Sequence, residues 1–129
     1  MEREIIIYGA GKDNFDDAED LIQYIKSGIF EDDHGRFDYS QSRPADVIVL
    51  SLKGKLYGHF DIKRMVNPSV EEKRKCPTTR AVYIVNPPTT LYKIPVELSR
   101  LGIKGIQFGK KLSDLEFQKV QILAGICDA

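Results

Sequence analysis

Asp46, Asp61 and Lys63 are the residues whose types and spacing could support a reaction. Two carboxylates on neighbouring strands can hold a hard divalent cation such as Mg²⁺, and a lysine two residues beyond the second can orient a water for phosphodiester cleavage. Glu19, on the first expected helix, is the candidate to complete such a set. The plainer reading of Asp61 and Lys63 is an exposed pair on a solvated strand face, worth only a few tenths of a kcal/mol.

Other reactive residue types lack partners. His34 and His59 are isolated from each other and from Cys76 and Cys127, so the spacing of a structural zinc site is absent. His59 reads as a surface strand residue, with no serine or cysteine nucleophile tied to it by spacing. Cys76, beside Lys75, is expected to be a loop bystander, and a reducing compartment suits both cysteines. Gly9-Ala10-Gly11-Lys12 follows a strand, but Asn14 stands where a dinucleotide loop needs glycine and Asp13 where a triphosphate loop needs Ser or Thr. A turn and a helix cap is the expected role.

These residues must be positioned by strands and helices. Glu4 to Gly9 reads as a buried strand. A helix follows, capped by Asp13 or Asn14, with Ala18, Ile22, Ile25 and Ile29 facing inward. Residues 31 to 44 read as a polar loop holding at most one short strand. Ala45–Leu52 and Leu56–Arg64 form the expected β-hairpin, closed by Lys53-Gly54-Lys55. Period two along its second strand places Leu56, Gly58, Phe60 and Ile62 on a core face and Tyr57, His59, Asp61 and Lys63 on an accessible one.

Met65 to Thr79 reads as a mobile excursion with one helical turn at most. Strands are expected at Arg80–Asn86, Leu91–Ile94 and Ile103–Phe108, a turn at Pro87-Pro88-Thr89-Thr90, and a brief helix around Val96 to Leu101, opened by Pro95 and ended by Gly102. Ser113-Asp114-Leu115-Glu116 is a capping box that starts a last helix running toward Gly125. Helices near the ends of a hairpin-rich middle point to an α+β fold, a small mixed or antiparallel, partly closed β-barrel with flanking helices.

With 129 residues, the chain is expected to form one domain with one core. A hydrophobic share of 42% and a charged share of 29% are those of a folded globular protein. The apolar runs are strand-sized and no secretory leader is legible, so a cytoplasmic protein without a membrane span is expected. Net charge is zero, yet residues 1 to 40 hold 4 Lys/Arg against 11 Asp/Glu while the remainder holds 15 against 8. That division permits a basic patch for phosphates, or two solvated faces of opposite sign.

Two resemblances bear on function. Pro44-Ala45-Asp46 with Asp61-Ile62-Lys63 resembles the PD-(D/E)xK nuclease motif, which would make Asp46, Asp61, Lys63 and Glu19 a Mg²⁺-dependent catalytic set. The stretch Asp38 to Leu50, then Gly54 to Ile62 with Gly58, then Ala81 to Val85 and Ile94-Pro95-Val96-Glu97-Leu98 resembles the PUA-like superfamily of ASCH, EVE and YTH domains, modules also found attached to restriction endonucleases.

The second resemblance implies a small barrel whose cleft binds RNA or DNA, in some members taking a flipped or modified base into an aromatic pocket. Carried over, Tyr39 and Ser40 would form that pocket with Tyr57 and His59 nearby. The chain has no tryptophan, so stacking falls to Tyr39, Tyr57, Phe37 or His59. Such stacking is worth ~1 to 3 kcal/mol per base. Lys53, Lys55, Lys63, Arg64, Arg74 and Lys75 are available for phosphates.

The expected function is a nucleic-acid-binding module without chemistry, cofactor or resident metal of its own, in a host-defence, RNA-modification or restriction setting. The alternatives are the nuclease and a plain protein-interaction domain. RNA versus DNA, and the oligomeric state, stay open at this stage.

Overall fold

The computed structural model describes residues 4–10, 17–28, 30–33, 37–38, 45–75, 77, 79–103 and 110–126. Among these residues seven strands form one mixed sheet: β1 (Ile5–Ala10), β2 (Phe30–Asp33), β3 (Phe37–Asp38), β4 (Val47–Leu52), β5 (Lys55–Val66), β6 (Thr79–Glu97) and β7 (Lys110–Leu112). The helices among the described residues are α1 (Ala18–Lys26), α2 (Val70–Lys75) and α3 (Asp114–Leu123), with a 3-10 turn at Leu98–Leu101.

The sheet runs β2-β6-β5-β4-β1, and β3 and β7 share the outer edge of β1. β1 and β4 are parallel, from Ile5 opposite Val47 to Gly9 opposite Ser51, and every other pairing is antiparallel. No pairing among the described strands joins β2 to the β1 edge, so the expected barrel closure is replaced by an open mixed sheet within an α+β fold.

Both faces of this sheet are covered, which is why residues 5–8 of β1 and 47–50 of β4 are continuous apolar runs and not alternating ones. Ile6, Tyr8, Ile48, Leu50 and Phe60 pack with Leu21 and Ile25 of α1 on one face. Ile5, Ile7, Val47, Val49 and Tyr92 pack with Phe117 and Val120 of α3 on the other. α1 is capped by Asp17, whose carboxylate accepts from the Asp20 amide, and Leu21 joins Ile25 as its buried residue. The Asp17 cap and Leu21 were missed, Ile25 was expected, and Asp13, Asn14 and Ile29 lie outside the described residues. α3 begins as expected, with Ser113 and Glu116 each accepting from the other's amide.

Other expectations are corrected. The segment 31 to 44 carries parts of two strands, β2 and β3, instead of one at most. The stretch from Thr79 to Glu97 is a single long strand without the expected break at Pro87-Pro88, and the helix expected around residues 96 to 101 is the shorter 3-10 turn at Leu98–Leu101, ended by Gly102 as expected. The prolines are tolerated because pairing shifts there: the partners jump from Asn86 to Thr90 between Asp61 and His59, and from Leu91 to Val96 between Gly58 and Leu56. A bulge asks no ladder hydrogen bond of a residue that has no N–H to give. The 65 to 79 excursion holds α2, with Ser69 and Glu72 bonded reciprocally at its start. Expected strand Ile103–Phe108 lies largely outside the described residues.

Candidate nucleic-acid interface

The β4–β5 hairpin places most of the expected site residues, and its turn is tighter than the three residues anticipated. Leu52 pairs with Lys55, so Lys53 and Gly54 alone make the connection. Both have positive φ, 52° and 82°. That is the backbone a two-residue type I′ turn requires, matched to the twist of the flanking strands. The Leu98 amide donates to the Gly54 carbonyl at 2.9 Å, fastening the turn to the 3-10 segment.

Simple alternation along β5 fails at Tyr57. Gly58 pairs with Leu50 and Leu56 with Ser51, which leaves Tyr57 as an extra residue in a bulge. A bulge reverses the facing of whatever precedes it. Leu56 accordingly packs in the α3-side core, whereas Phe60 and Ile62 pack in the α1-side core with Tyr57 half-buried against it. Tyr57 and His59 are therefore on opposite faces and do not form one concavity. Gly58 has a packing reason, since a Cβ there would lie 2.6 Å from the Thr90 carbonyl oxygen and 3.1 Å from Ile25.

His59 is a core residue, only 3% exposed, instead of lining an accessible face. Its Nδ1 lies 2.8 Å from the Tyr92 hydroxyl, and its ring meets Phe117 edge-on at 5.0 Å. This junction of β5, β6 and α3 was invisible to period counting, because its members are separated by tens of residues. Burial, and then the neighbouring Asp61 charge, push the Tyr92 hydroxyl well above its usual range, so it stays protonated.

The remaining expected residues divide between the two ends of the hairpin. At the far end Asp46, Lys63 and Arg64 line a cleft of about 330 Å³ with Glu4. Its charges balance, two cations against two carboxylates, and both carboxylates have partners. Asp46 Oδ2 accepts from the Glu4 amide at 2.8 Å, and Glu4 Oε1 is paired with Lys111 at 3.1 Å. Asp61 lies opposite Val47 in register and Glu19 sits on α1, bonded to Gln23. Among the described residues no group of three His, Cys, Asp or Glu is placed to hold a metal ion, so Asp46, Asp61 and Glu19 are not brought together as ligands.

At the turn end, two adjoining grooves of about 390 and 490 Å³ share Lys55 and Glu97. Lys53 lines one and Arg100 the other, while Ile94, 59% exposed, gives the floor an apolar strip. Three cations face one carboxylate. Lys53, Lys55 and Arg100 are exposed and form no ion pair or side-chain hydrogen bond among the described residues. Arg100 was missed in the sequence, because only the pairing of Lys55 with Glu97 brings the 3-10 segment alongside the turn.

From Lys55 to Lys63 is eight steps of strand, about 26 Å at ~3.3 Å per residue. The six expected cations thus form no single patch. Arg74 and Lys75 lie farther along the chain, exposed on α2. Tyr39, Ser40 and Cys76 lie outside the described residues, as do His34 and Cys127. No helix of the described residues is long and apolar enough to cross a membrane. Comparison with protein-family models, with curated proteins and with solved structures returns no match.

Proposed function

We propose that this domain binds nucleic acid, RNA or DNA, along the grooves beside the β4–β5 turn. The observation that supports this reading is the charge imbalance there: Lys53, Lys55 and Arg100 are unpaired among the described residues and face Glu97 alone. Unpaired lysine and arginine cost little desolvation to engage and release counterions from a phosphate chain. The balanced cleft at the far end has no such surplus.

Kinship with the PUA-like superfamily fits this role and rests on the segments quoted for it from Asp38 to Leu98. The hairpin with Gly58 at its centre agrees with that pattern, although the packing of Gly58 against Thr90 and Ile25 accounts for the glycine without it. No observation favours the nuclease over the binder.

The test is a gel-shift titration of mixed RNA and DNA oligonucleotides at two salt concentrations, run alongside digestion with Mg²⁺. Retention that weakens steeply with salt, with the oligonucleotides left intact, is the expected result. No retention at low salt refutes the proposal, and Mg²⁺-dependent cleavage would put the nuclease in its place.

A further inference from the structure

The ligand class of this site can be narrowed, on the premise that the turn groove is where nucleic acid docks. We infer that the groove takes the sugar-phosphate backbone without reading a base, and that Lys53 is one of its phosphate contacts. Capture of a flipped base in an aromatic pocket needs a ring to stack on. Among the described residues no aromatic side chain lines either groove. Tyr57 packs on the α1-side core, His59 and Tyr92 are buried together, and Phe60, Tyr83 and Phe117 are interior. What the groove does offer is exposed positive charge beside an aliphatic strip, which suits a phosphate chain of any sequence.

Lys53 carries a second, independent observation. It is the one non-glycine among the described residues with positive φ, in the first central position of the turn. Asn or Gly is the residue that this position favours, because a lysine Cβ crowds the left-handed backbone. A lysine held there gives up conformational ease while lining the groove together with Lys55. Strain of this kind collects where a side chain is needed for something other than folding.

Lys53→Asn separates the two roles, since asparagine suits the turn and has no charge. Binding is read by fluorescence anisotropy over a salt series with labelled duplex DNA, single-stranded DNA and RNA, each in two unrelated sequences. The expected result for the native chain is equal affinity for the two sequences of each type. Lys53→Asn is expected to weaken all of them several-fold and by a similar factor, to lower the salt slope by about one, and to leave the melting temperature unchanged or raised.

A native chain that prefers one sequence of a pair tenfold or more overturns the backbone-only inference while leaving nucleic-acid binding standing. Unchanged affinity and slope in Lys53→Asn removes Lys53 as a contact. Absence of binding by the native chain at low salt brings down the proposed function itself, and this inference with it.

Discussion

Tyr57 and Gly58 show how one inserted residue redistributes chemistry. Without the bulge, Tyr57 would share a face with His59; with it, Tyr57 packs on the α1-side core while His59 lies with Tyr92 and Phe117 in the opposite one. Gly58 then sits where strand β6 and α1 both approach closely, so Gly58→Ala is expected to destabilise the fold by ~1 to 3 kcal/mol through overpacking, measured by urea unfolding. At the buried junction, Tyr92→Phe removes the hydroxyl that His59 Nδ1 contacts. Leaving that buried nitrogen without it is expected to cost ~1 to 3 kcal/mol.

The same tyrosine sets an alkaline limit. Burial raises its folded-state pKa, so the unfolded chain releases that proton first as pH climbs past about 10, the ordinary value. The stability that Tyr92 contributes is complete below that pH and is lost progressively above it. Urea midpoints measured from pH 8 to 11 should fall in the native chain, and fall less in Tyr92→Phe. An equal decline in both would assign the alkaline loss to other groups.

At the scale of elements, local signals were legible and long-range pairings were not. The capping box of α3 is written in four consecutive residues, and both of its hydrogen bonds form. Ser113→Ala should therefore cost ~0.5 to 2 kcal/mol, seen as a lower urea midpoint with an unchanged slope. The hairpin was equally legible, since its two apolar runs flank a glycine. The parallel pairing of β1 with β4 joins segments some forty residues apart, and nothing in either run announces the partner. Pro87-Pro88 signalled a turn because proline breaks ladders; the pairing shift in β6 that accommodates it depends on β5. Arg100 joined the site for a related reason, through a strand register that no short window contains.

For the whole molecule, the governing feature is an uneven charge distribution on a neutral chain. The acidic first 40 residues and the basic remainder cancel in sum, yet the two ends of the hairpin differ: one cleft is lined by two cations and two carboxylates, the other grooves by three cations and one carboxylate. Long-range attraction falls off over a Debye length of about 8 Å at physiological salt. Ends separated by about 26 Å of strand therefore act independently on a ligand, and a change at one should leave the other's contribution intact.

That independence supplies the most direct measurement, a comparison of two double charge reversals in one anisotropy titration at physiological salt. Lys55→Glu with Arg100→Glu alters the groove at the turn, and Lys63→Glu with Arg64→Glu alters the far-end cleft, with the same change in net charge. If nucleic acid docks at the turn, the first pair abolishes binding and the second weakens it less than about threefold, while both proteins keep their circular dichroism spectra. Equal losses in the two proteins, or a larger loss from the far-end pair, would contradict the placement of the site.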